Sequence, residues 1–161
     1  MYIREKDKII GPIIGYKAFN ADFTNRYGMK FEVGKLYNSD GEIKFGVKGN
    51  GFHFCSCFED TFRYFDTKQG LILTEVEGSG NIVSYDDEYN GYYDMYASSE
   101  IKILRKIERK KIIDMIKKIT YADFRIRKVL QTLYLTDEEI EELNPYFEKS
   151  INKIYSKKKV N

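Results

Sequence analysis

Tryptophan is absent from the 161 residues, proline occurs twice, cysteine twice and histidine once. So few His and Cys residues exclude a structural zinc site made of four such ligands; a carboxylate would have to complete it. Cys55 and Cys57 are separated by one residue, a poor geometry for a local disulfide, so they read as free thiols in a reducing compartment. No apolar run approaches the ~18 residues of a membrane span. Met1 to Lys8 is charged where a signal peptide would be apolar. Neither an internal repeat nor a low-complexity linker is present. The expectation is a soluble cytoplasmic protein of one domain, or of one domain with an appendage, without membrane contact.

Apolar residues make up 42% and charged residues 32%, a globular balance, and the aromatic content rests on 14 Tyr and 11 Phe. The net charge of +2 conceals an asymmetry. Residues 1–100 carry 11 Lys and Arg against 16 Asp and Glu, whereas residues 101–161 carry 16 against 9. Periodicity changes at nearly the same place. Short strand patterns are predicted at 15–19, 31–36, 43–47, 52–57, 71–77, 82–85 and 100–104, with turns at Asn38 to Gly41 and Gly78 to Gly80. Between them, Phe58, Phe62 and Phe65 follow helical spacing behind Ser56, a candidate N-cap. Helices are predicted over 108–120 and 121–135. Thr136 and Glu139 form a capping box before a third, and Asn144-Pro145 restarts a fourth. The fold class is therefore α+β. Residues 1–106 form a small mixed or antiparallel sheet with one short internal helix; residues 107–161 form a helical segment packed on it or extending from it.

The stretch from Lys48 to Phe58, K-G-N-G-F-H-F-C-S-C-F, holds the histidine and both cysteines. Strand alternation puts His53, Cys55 and Cys57 on one face and Phe52 and Phe54 on the other. Three chemistries compete for that face: a metal site short of a fourth ligand, a thiol needing a base within reach, and plain core packing with a hydrogen-bonded histidine. Elsewhere, Asp86 to Ala97 partly imitates a calcium loop but ends in Ala97 where a bidentate Glu belongs, which favours a solvated acidic loop. Its Tyr89, Tyr92 and Tyr93 are candidates for a protein contact. Lys102 to Lys128 carries 11 cations against Glu108, Asp114 and Asp123. Lys110, Lys111, Lys117 and Lys118 are its candidates for nucleic acid or an acidic protein surface; a solvated helix face, or one complementing the acidic half, is the alternative.

The segments G-Y-K-A-F (15–19), F-E-V-G-K-L-Y (31–37), G-F-H-F-C (51–55), E-V-E-G-S-G (75–80) and S-S-E-I-K-I-L-R (98–105) together resemble an uncharacterised family found in phages, bacteria and giant viruses. That resemblance covers roughly residues 14–106 and lends no activity. It implies a phage- or mobile-element-type protein that binds and modulates a host protein, possibly one of a defence system, with no cofactor. More distantly, the strand order resembles the ADP-ribosyltransferase fold. That resemblance implies NAD as cofactor and a protein or nucleic-acid target, with Glu100 as the catalytic acid and Lys17 and His53 beside the cofactor. Lys17, Phe54 and Ser56 would bind it. Lys17 stands where the family has Arg or His, and Ser98 where it has the upstream acid.

Overall fold

Among the described residues every strand pairing is antiparallel, and two long strands carry most of them. The computed structural model describes residues 3–5, 9–46, 49–64, 71–87, 95–119 and 124–146. In chain order the strands are β1 (Ile3–Glu5), β2 (Ile9–Ile10), β3 (Ile13–Asn20), β4 (Leu36–Asn38) and β5 (Phe52–Cys55), then α1 (Phe58–Tyr64), β6 (Leu71–Asp87) and β7 (Met95–Lys106). Helices α2 (Arg109–Lys117) and α3 (Phe124–Leu133) follow, and residues 137–146 form α4. The result is a mixed α+β protein.

The sheet closes on itself. β6 pairs with β3 along Leu71 to Gly78 and with β7 along its opposite edge. β7 pairs with β4 and β5, and β5 returns to β3 through the single pair Tyr16 and Cys55. Inside lie Phe19, Phe52, Phe54, Val76, Ile101 and Ile103, plugged at one end by Phe23, Phe31 and Tyr37. Closure needs two bare backbones. A Cβ on Gly78 would sit 2.4 Å from the Phe54 ring, and one on Gly15 would sit 2.4 Å from the Cys55 oxygen.

The helices cover part of the outer face. Ile112, Ile113 and Ile116 of α2 are buried, as their spacing predicts, with Val129, Leu130 and Leu133 of α3, Leu143 of α4, Phe58 and Phe62 of α1, and Leu73 of β6. One apolar cluster thus joins residues before and after 106, and the Ile107 N–H donates to the Leu73 oxygen (2.8 Å). The capping box forms as its sequence predicts. Thr136 N–H donates to Glu139 Oε1 (2.9 Å) and Glu139 N–H donates to Thr136 Oγ1 (3.2 Å).

Several boundaries differ from expectation. No turn interrupts β6 at Gly78 to Gly80; a register shift between Ser79 and Ile82 takes up one extra residue, with Gly80 at φ +74°. Residues 31–35 are not a strand, because Phe31 is drawn into the barrel end and Gly34 turns at φ +86°; pairing begins at Leu36. Residues 43–46 contribute one bridge, Lys44 with Asn50. α1 opens at Phe58, so Cys57 and not Ser56 precedes its first residue. α4 passes through Asn144 and Pro145 without a break.

Candidate functional site

Lys17 lies on the inner face of β3, paired across the sheet with Thr74 and in line with Val76 and Gly78. Its ammonium donates to the main-chain oxygen of His53 (2.6 Å) and stands 5.7 Å from the Phe19 ring. Burial pushes its pKa down to about 8; the Cys55 thiol opposes that shift and the Arg26 charge adds to it.

His53 and Cys55 share the opposite face of β5, as strand alternation requires, with Phe52 and Phe54 inside. The His53 ring packs edge-on against Phe45 (centroids 4.7 Å), and its Nε2 accepts the Gly46 N–H (3.2 Å). Burial, helped by the Lys17 charge, pushes its pKa down to about 4, so the ring is neutral at neutral pH. Cys55 is buried against Met95 and Phe45, and burial followed by the Asp60 charge pushes its thiol up to about 12. A thiol so held is protonated at neutral pH, the reverse of what nucleophilic chemistry needs. Cys57 is partly exposed beyond the strand end. Among the described residues no group of three His, Cys, Asp or Glu side chains converges on a common point.

Glu100 is on the other side of the sheet from Lys17. It pairs with Ser79, whose hydroxyl donates to Glu100 Oε2 (3.0 Å), and its other cross-strand neighbour is the exposed Asn38. Ser98 is buried on the inner face, its hydroxyl donating to the Glu100 main-chain oxygen (2.7 Å). Phe54 is stacked on Tyr96 (centroids 5.5 Å) in the barrel core, where it offers no open platform. Ser56 lies at the bend before α1. The chain thus brings Lys17 to the backbone of His53, while Glu100 and the His53 ring occupy separate surroundings.

Two cations of the basic helix are answered from within. Arg109 forms a two-pronged pair with Glu139 (2.7 and 2.8 Å) and also donates to the carbonyls of Leu133 and Tyr134. Lys117 pairs with Glu142 and, at 3.7 Å, with Asp114. The acids that complement α2 therefore include a helix of the same half of the chain. Lys110, Lys111 and Lys118 are exposed. Tyr89, Tyr92 and Tyr93 lie outside the described residues.

A surface that the sequence does not announce lies between β3 and β4. Among the described residues eight large hydrophobics are exposed; Tyr27, Met29 and Val33 fall in this one connection and Leu36 opens β4 at its end. Tyr27 is 73% exposed. The connection is firmly built. Asn20 Nδ2 donates to Thr24 Oγ1 and the Asn25 oxygen, Asp22 Oδ1 accepts from Thr24 N and Oγ1, and Asn25 Oδ1 accepts the N–H groups of Tyr27 and Met29. Phe31 N–H donates to the Phe23 oxygen (3.0 Å), closing the loop over its buried rings. Phe23 holds φ +65°, a conformation that a bulky residue adopts only where its surroundings enforce it.

Fold and site together define a closed antiparallel sheet capped by helices, with an ordered apolar loop displayed at one end. The chain belongs to the family described as Domain of unknown function (DUF7666), whose model matches residues 13–115, from β3 into α2. No curated protein and no solved structure matches it. Among the described residues no helix is long and apolar enough to cross a membrane.

Proposed function

We propose that the chain is a protein-binding module without catalysis of its own. In the phage or mobile-element setting that the sequence resemblance implies, its partner is a host protein in the cytoplasm. The observation that carries this reading is the β3–β4 connection: three exposed hydrophobic side chains, with Leu36 of β4 beyond them, on a loop whose backbone is already fixed by its own hydrogen bonds. Preordered apolar loops lose little entropy on docking, which is what a recognition surface requires. The separation of Lys17 from Glu100 across the sheet removes support from the NAD-dependent transferase alternative. Affinity purification of the tagged chain from its native host tests the reading. A partner is expected to co-purify in fixed ratio and to be lost when Tyr27, Met29 and Leu36 are together changed to Ser. Transfer of label from NAD to a target, abolished by Glu100→Gln, would overturn it.

A further inference from the structure

The binding surface just described has an electrostatic character that its apolar residues do not reveal. Lys106 extends from the end of β7 to within 4.6 Å of the Phe23 ring, and Lys17 stands behind the adjoining Phe19 ring, whose centroid is 5.1 Å from that of Phe23. Arg26 is exposed on the same connection, next to Tyr27. Lys30 forms a strand bridge with Thr24. Three exposed cations, Arg26, Lys30 and Lys106, therefore lie on or beside the loop, with the partly buried Lys17 behind it. The loop's carboxylates are Asp22, whose Oδ1 is engaged by Thr24, and Glu32, which stands 3.9 Å from the Lys35 ammonium. Arg26 and Lys30 are exposed and flank Tyr27 and Met29, so apolar contact and positive field occupy one spot.

We infer that the Arg26–Lys30 tip of this loop receives an acidic segment of the partner protein, with apolar side chains seated on Tyr27 and Met29 and carboxylates on Arg26, Lys30 and Lys106. The inference rests on the protein-binding reading and adds the partner's chemistry to it. A surface of one charge sign speeds encounter with its opposite and rejects like-charged competitors. Arg and Tyr side by side supply the planar, amphipathic contacts that dominate such interfaces. A nucleic acid would meet the same cations, so the experiment separates the two.

Three fluorescent probes are titrated against the full chain: a short peptide with glutamates flanking leucine and phenylalanine, the same peptide with glutamine for glutamate, and an oligothymidylate. The acidic peptide is expected to bind best and to weaken steeply with salt. Arg26→Glu with Lys30→Glu is expected to weaken it about tenfold or more. Lys110→Glu with Lys111→Glu changes net charge equally but should leave binding unchanged. Equal binding of the acidic and glutamine peptides, or indifference to the Arg26 and Lys30 reversal, overturns the inference. The protein-binding reading survives that result if changing Tyr27 and Met29 to Ser still abolishes binding. Tighter binding of the oligothymidylate, or no binding of the acidic peptide, also overturns the inference.

Discussion

The ammonium of Lys17 and the main-chain oxygen of His53 are 2.6 Å apart, joining β3 to β5 beside their one paired position. A lysine withdrawn from water is harder to charge, and its pKa falls to about 8. The unfolded chain holds that proton up to its ordinary value of 10.5, so between these values the unfolded state binds more protons than the folded one. Stability relative to Lys17→Met should therefore rise as pH climbs from 8 to 10.5, by up to about 3 kcal/mol. Urea unfolding of both proteins across that window measures it. A constant difference would show that the ammonium is well solvated.

His53 makes a prediction of the same sign on the acid side. Its folded pKa of about 4 lies below the ordinary 6.5, so its contribution is complete above 6.5 and is lost as pH falls towards 4. Against His53→Gln, the protein should lose stability over that interval at close to one proton's slope and level off below it. NMR titration of the single imidazole gives the same pKa directly.

Gly78→Ala should destabilise the fold by about 1–3 kcal/mol, because the added methyl meets the Phe54 ring inside a filled barrel. Phe54→Leu in the same chain should recover part of that loss. Thermal unfolding of the single and double variants tests the compensation, and strictly additive losses would contradict it.

Arg109 ties the start of α2 to the end of α3 and to the cap of α4 through Glu139. Lysine cannot reproduce its fork, so Arg109→Lys should cost about 1 kcal/mol, moderated by the half-exposed guanidinium. The Arg109 bond holds the Glu139 carboxyl below its ordinary 4.5. The stabilisation is present above that value and is lost as pH falls through the lowered one. Comparing acid unfolding of the wild type with Arg109→Gln checks the sign.

What could be read from the residues was local and periodic. Alternation alone assigned Phe52 and Phe54 to one face and His53 and Cys55 to the other, and the spacing of Thr136 and Glu139 announced their reciprocal bonds. What could not be read depended on partners far along the chain. Gly78 looked like a turn residue, yet it is small because Phe54 needs the space. The partners of Arg109 and Lys117 could not be read because their acids lie 30 and 25 residues further along the chain. Val33 and Leu36 fitted a strand over 31–36, and their exposure follows from Phe31 turning inward and Gly34 bending the chain.

The return of β5 to β3 through Tyr16 and Cys55 gives the barrel a seam. Opening there breaks one pair and the Lys17 bond, whereas parting β6 from β7 breaks a ladder that runs from Thr74 to Tyr85. Amides beside the seam should therefore exchange with solvent through a partial opening, while those of the β6–β7 hairpin wait for global unfolding. Mechanically the molecule is a clasped cuff, and its clasp is the strand that carries the histidine.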